Sequence, residues 1–278
     1  MSVSRADPGQ DSLDVVAIQL EYDRSEPYSA RIRRVDDFID DAAGADLVVL
    51  PELWAHGGFD YDTWTDRAEP LDGTFLETMS RAAKRNSTWL HAGSIIEREN
   101  DTASARLWNT SVVFDPDGEI RATYRKIHRF GFSDGEPRLL TAGTEPVSTG
   151  LATAAGVETV VGLSTCYDLR FPELYRELVG AGTEVLVIPA AWPRARVEHW
   201  TALGRARAIE NQTYVVQCNV AGVDGDVALG GHSQIVAPDG TVVAAAGDSA
   251  DIISATMELG SLRELRRTFP VLADRRLG

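Results

Sequence analysis

Cysteine is nearly absent from this chain: Cys166 and Cys218 are the only two among 278 residues. Two thiols are too few for a disulfide framework or a four-thiolate zinc site. The five histidines, at positions 56, 91, 128, 199 and 232, form no ligand-spaced pair, so no metal is expected. No glycine pattern that would cradle a phosphate occurs, and no cofactor is expected either. Long apolar runs are missing too. The first, Val15 to Leu20, is too short for a signal sequence, and uncharged stretches such as 211–223 fall well short of a membrane span. Positive charge is in deficit, with 27 Lys+Arg against 42 Asp+Glu and a net charge of −15. Such a chain lacks the clustered basic surface that nucleic acids or anionic membranes require. The expectation is a soluble, cytoplasmic protein whose partner is a small molecule. Lysine is the scarcest charged residue: only Lys84 and Lys126 stand among 25 arginines. Against that background a lysine marks a place to look for chemistry that an always-protonated guanidinium cannot perform.

What is present is ordinary for a globular protein: 44% hydrophobic and 25% charged residues exclude global disorder. After a loose lead over residues 1–12, apolar runs alternate with amphipathic ones. Strands are predicted at 13–20, 46–50, 88–96, 107–114, 120–124, 157–164, 185–188, 213–219, 232–238, 241–245 and 252–257. Helices are predicted at 28–43, 75–85, 171–179 and 197–211, and from Leu259 onward. Pro-Asp-Gly turns at 116–118 and 238–240 predict two hairpins; they weakly suggest two related halves, but turns this common are read first as coincidence. No linker or composition break appears. The pattern is that of one layered α/β or α+β domain over residues 13–278.

Catalytic groups in layered α/β folds collect where strands end. Glu52 follows the apolar run DLVVLP and is flanked by Leu53 and Trp54, which suits a partly enclosed carboxylate. Lys126 ends the second strand of a hairpin, in Tyr124-Arg-Lys-Ile-His128. Cys166 lies between a buried strand and a helix opening near Phe171-Pro172, where a positive helix end would favour the thiolate. Cys218, in YVVQCNV, has no such helix start behind it and reads as a core residue.

Together these residues resemble a known pattern. LPELW (50–54), YRKIH (124–128) and CYDLRFPELYR (166–176) follow the order and approximate spacing of the nitrilase superfamily, the carbon–nitrogen hydrolases. GEPRLLTAG (135–143), RARAIENQTYVV (205–216) and GGHSQIVAPDG (230–240) extend the resemblance over nearly the whole chain. It implies a four-layer α-β-β-α sandwich pairing into a homodimer, and a Glu–Lys–Cys triad at Glu52, Lys126 and Cys166. Cys166 would be the nucleophile and Glu52 the general base and then acid. Lys126 and the Tyr167 backbone N–H would hold the oxyanion. A second glutamate of the family matches Glu136, which would orient Lys126 or the attacking water.

Nitrilases proper read Cys-Trp-Glu after the nucleophile, whereas this chain reads Cys166-Tyr-Asp, typical of amidase branches. The segment AWPRARVEHW (191–200) resembles the ω-amidase type, whose substrates are ω-amides of 2-oxo dicarboxylic acids. Such a substrate carries a carboxylate, which a guanidinium fork would bind. Arg170 is the first candidate and Arg194 the second, with Trp192 and Phe59 as apolar walls. For Arg170 the competing role is an ion pair with Asp168 or Glu173. Two other functions stand beside this one: an N-carbamoyl or other linear amidase, and a catalytically silent thiol sensor or binding protein.

Overall fold

The computed structural model describes residues 11–99, 106–131 and 134–277, so residues 1–10 of the expected lead lie outside the described residues. The first half runs through β1 (Ser12–Gln19), β2 (Glu21–Tyr22), α1 (Tyr28–Asp41), β3 (Leu47–Val49) and α2 (Tyr61–Arg67). It continues with α3 (Thr74–Asn86), β4 (Trp89–Arg98), β5 (Leu107–Phe114) and β6 (Ile120–Arg125). The second half holds α4 (Glu136–Leu139), β7 (Val147–Ala152), β8 (Glu158–Leu163), α5 (Pro172–Gly180), β9 (Val185–Ala190) and α6 (Val197–Asn211). There follow β10 (Tyr214–Asn219), β11 (Ala221–Asp224), β12 (Val227–Gly230), β13 (Gln234–Val236), β14 (Val242–Ala245), β15 (Asp251–Glu258) and α7 (Leu259–Thr268).

Two six-stranded sheets, ordered β15-β1-β3-β4-β5-β6 and β14-β13-β10-β9-β8-β7, form the centre. Each carries three parallel strands, continues into an antiparallel hairpin and is closed by an antiparallel edge strand. The two Pro-Asp-Gly turns occupy corresponding places, joining β5 to β6 and β13 to β14. The reading of these turns as coincidence is thereby corrected: both sheets repeat one strand arrangement.

The period-2 alternation of strands divides the core. Leu13, Val15 and Ala17 of β1 and Val49 of β3 pack with strands β8 to β10 of the opposite sheet. Val16 and Ile18 of β1 and Val48 of β3 face Val35 and Ile39 of α1 and Met79 and Ala83 of α3. Helices α5 and α6 cover the far side of the second sheet. The result is the expected α-β-β-α sandwich. Strands buried on both faces read as continuous apolar runs, and so they were visible in the sequence. Cys218 sits fully buried between the sheets, its Sγ 3.3 Å from the carbonyls of Ile18 and Val49.

Candidate active site

Three chain turns aim the functional side chains. After β3, Pro51 and Glu52 lead into Leu53, whose φ of 45° lies in the left-handed region. The turn fits because β4 is bulged between His91 and Ser94, and Gly93 (φ 73°) approaches so closely that a Cβ there would lie 1.9 Å from the Pro51 carbonyl. After β6, the Lys126 N–H donates to the Asn109 carbonyl at 2.9 Å, which carries the strand pairing one residue further. After β8, Cys166 itself takes φ 49° and opens a 3-10 turn, Cys166–Arg170, capped by Thr165 and Asp168. A non-glycine residue in that region stores about 1–3 kcal/mol of strain and is characteristic of functional turns.

Asp168 fastens two of these turns together. Wholly buried, its carboxylate accepts from the Thr165 N–H at 2.9 Å on the cysteine side. From the lysine side it accepts the Tyr124 hydroxyl at 2.7 Å, the His128 N–H at 2.9 Å and a contact from His128 Nδ1 at 2.8 Å.

Glu52, Lys126, Glu136 and Cys166 meet in the space between, all at most 7% exposed. Lys126 Nζ lies 2.7 Å from Glu52 Oε1 and 3.0 Å from Glu136 Oε1. The remaining carboxylate oxygens are held as well: Glu52 Oε2 accepts from the Ala191 N–H at 2.9 Å, and Glu136 Oε2 from the Phe130 N–H at 2.6 Å. An ammonium has three donors, and the two carboxylates take two of them. Burial alone would push the Lys126 ammonium down, but Glu136 and Glu52 outweigh it and hold it well above its ordinary range. Burial raises Glu136, only partly offset by Lys126. Cys166 is also raised well above the usual thiol value, first by burial and then by the charge of Glu52, its hydrogen-bond partner. The sequence-based expectation of a thiolate stabilised by a helix end is thus corrected. Desolvation, followed by the Glu52 charge, disfavours the charged thiolate.

A pocket of about 400 Å³, part of it open to solvent, borders this cluster. Phe59 and Trp192 line it, as expected, together with Arg170 and Tyr167. Phe59 is pinned through its backbone: its N–H donates to Asp224 at 2.8 Å, and Arg24 donates to its carbonyl at 2.8 Å. Arg170 stands 4.6 Å over the Trp192 ring, with Nη1 3.3 Å from His199 Nδ1. Among the described residues it forms no ion pair with Asp168, which is fully engaged elsewhere, or with Glu173. Arg194 departs from expectation: it turns away from the pocket and pairs with Asp248 at 3.1 Å. Arg196 lines the pocket instead, 5.5 Å over the Phe130 ring, with no ion pair among the described residues. Its charge and burial both hold Arg170 below the usual arginine range, burial being the larger cause.

Sequence reasoning missed Arg196, Asn109 and Tyr61. Tyr61 borders the pocket, and burial, followed by the Glu136 charge, pushes its phenol up to about 12. Asn109 donates to both Glu52 and Glu136. Its available signal was a run of polar residues, Asn109 to Ser111, inside an otherwise apolar strand.

Comparison with known proteins agrees with this architecture. The sequence profile of the carbon–nitrogen hydrolases matches residues 15–267. The chain is 52% identical over 276 residues to the 2-oxoglutaramate amidase of Paenarthrobacter nicotinovorans, covering 99% of this chain and 94% of that one. It is 36% identical over 261 residues to the 2-oxoglutaramate amidase of Bacillus subtilis (strain 168), covering 94% and 96%. A carbon–nitrogen hydrolase superfamily protein of Xanthomonas campestris, crystallised with an arsenic adduct in its active site, matches with a TM-score of 0.84. That match is at 27% identity and covers 96% of this chain and 98% of that one. The protein belongs to the carbon–nitrogen hydrolase family, the nitrilase superfamily, whose members hydrolyse carbon–nitrogen bonds other than peptide bonds.

Proposed function

We propose that this protein is a thiol amidase of the ω-amidase type, releasing ammonia from the terminal amide of a small 2-oxo dicarboxylic acid such as 2-oxoglutaramate. The observation that carries the reading is the buried ammonium of Lys126 held by Glu52 and Glu136 beside Cys166, with one ammonium donor left over. Cys166 Sγ attacks the amide carbon while its proton passes to Glu52. The spare Lys126 N–H and the Tyr167 backbone N–H receive the oxyanion. As the C–N bond breaks, Glu52 returns the proton to nitrogen and ammonia leaves, with a thioester remaining. Water, deprotonated by Glu52, then forms the new C–O bond. The C–S bond breaks and Sγ regains its proton, which restores the thiol.

Two guanidiniums, Arg170 and Arg196, stand at a pocket in a protein of net charge −15 and suit the substrate carboxylate. The overall field repels anions, so attraction has to be local. The 2-oxoglutaramate amidases among the relatives support the same substrate class. We also propose that the enzyme works in the cytoplasm, where its free thiols stay reduced, and as a homodimer, which light scattering would test.

The test is ammonia release by wild type, Cys166→Ala and Cys218→Ala across 2-oxoglutaramate, 2-oxosuccinamate, an N-carbamoyl compound, a nitrile and a neutral amide of similar length. Turnover should be lost in Cys166→Ala, kept in Cys218→Ala, and fastest on the 2-oxo amides. A preference for the neutral amide removes the ω-amidase reading, and an essential Cys218 removes the mechanism.

A further inference from the structure

The catalytic roles just proposed leave one buried group unexplained. Asn109 Nδ2 lies 2.8 Å from Glu52 Oε1 and 2.9 Å from Glu136 Oε1, the same two oxygens that Lys126 Nζ approaches at 2.7 and 3.0 Å. The amide and the ammonium thus face each other across a closed ring, each donating to both carboxylates. The main-chain carbonyl of Asn109 also accepts the Lys126 N–H at 2.9 Å, so one residue holds all three charged partners.

The orientation of this amide carries a cost. Asn109 is 2% exposed and its Oδ1 has no hydrogen-bond partner among the described residues. Turning the amide over would not relieve this, because Oδ1 would then face two carboxylates. A buried polar atom left unsatisfied in a native fold calls for an explanation, and retention for function is one such explanation. The charge count supplies it. Two carboxylates and one ammonium leave the cluster one negative charge in excess, which a base for the Cys166 proton requires. A second cation at position 109 would cancel that charge. An apolar residue would leave two buried carboxylates bridged by a single ammonium. A neutral double donor meets both demands.

We propose that Asn109 is a positioning residue that holds Glu52 and Glu136 ionised together around Lys126, keeping Glu52 a competent base for Cys166. The proposal rests on the triad reading above. Among the described residues the titratable groups at the ring are Glu52, Glu136 and Lys126 within it, Cys166 beside it, Tyr61 facing it from α2, and Tyr22, whose phenol senses Glu52.

The experiment is the pH dependence of kcat/KM for 2-oxoglutaramate in wild type, Asn109→Ala, Asn109→Asp and the exchange variant Asn109→Asp/Glu136→Gln. Removing donors to an ionised carboxylate makes it easier to protonate, so the acid limb should move to higher pH by about one unit in both single variants. On the falling part of the wild-type limb this corresponds to at most about a tenfold loss at a given pH. The exchange variant restores two carboxylates, one amide and one ammonium, and its limb should move back toward wild type. A limb that stays in place in either folded single variant overturns the proposal, whatever the fall in kcat. If neither single variant folds, failure of the exchange variant to restore folding overturns it as well. Cys166→Ala measured in parallel separates the two levels: turnover surviving in that variant sinks the triad reading beneath the proposal, whereas an inactive Cys166→Ala with an unmoved limb sinks only the role of Asn109.

Discussion

Lys126→Arg is the sharpest single test of the mechanism, because it keeps the charge and changes only its shape. Lys126 is 2% exposed, with Nζ at 2.7 and 3.0 Å from two carboxylate oxygens. A guanidinium there still neutralises Glu52 and Glu136, so the fold suffers mainly overpacking, about 1–3 kcal/mol. Its planar fork spreads its donors in one plane, however. Engaging both carboxylates turns the remaining N–H groups away from the point where a single ammonium hydrogen would meet the oxyanion. Loss of one oxyanion donor costs about 10²–10³ in kcat, or about 2.7–4 kcal/mol. Lys126→Met would be less informative. It strands two buried carboxylates and costs about 3–5 kcal/mol of stability, which confounds any change in rate. The assay is steady-state ammonia release from 2-oxoglutaramate, with calorimetry on the same samples to establish folding. A folded Lys126→Arg protein with kcat within about threefold of wild type would refute the oxyanion role, since even the weakest such donor is worth more than that.

Three further outcomes are expected. Arg170→Gln should raise KM for 2-oxoglutaramate by roughly 10- to 100-fold, on the scale of about 1.5–3 kcal/mol for a charged hydrogen bond, and leave a neutral amide unchanged; equal losses on both substrates would assign Arg170 a purely structural role. Gly93→Ala, with its Cβ forced toward the Pro51 carbonyl at a positive φ, should displace Glu52. It should therefore lower Tm and reduce kcat together, and wild-type values of both would show the close approach to be unimportant. Because burial and Glu52 raise the Cys166 thiol, its alkylation by iodoacetamide should be slow at pH 6 and climb through pH 9. Mass spectrometry showing a rate already level at pH 6 would instead indicate a preformed thiolate.

Local pattern carried much of this architecture. Leu107–Phe114 and Val197–Asn211 fall at the predicted residues, and both Pro-Asp-Gly hairpins form. Where the signal was weak, elements went unseen. The edge strand Val147–Ala152 carries Ser, Thr and Gly. Helix Tyr61–Arg67 buries only Trp64. The small sheet β12-β11-β2 pairs Ala221 with Glu21, a contact no local window contains, yet its Asp224 pins the Phe59 wall.

The site divides in the same way. Glu52, Lys126 and Cys166 were legible because each follows a predicted strand, and in a layered fold the ends of strands converge. Side-chain direction beyond those ends was not legible. Arg194 and Arg196 lie in one 3-10 turn, in which a step of two residues is a rotation of about 240°. One arginine therefore reaches the pocket while the other reaches Asp248, and their order in the sequence does not say which. The thiol was misjudged for a related reason: a helix start can be read from a motif, but the burial that opposes it depends on every layer packed above. Placement of the central strands thus follows from the sequence by itself, because a continuous apolar run is a local signal. The ring of Asn109, Lys126, Glu52 and Glu136 was decided only by tertiary structure, because it joins four separate chain segments whose separation and desolvation exist only once the two sheets have packed.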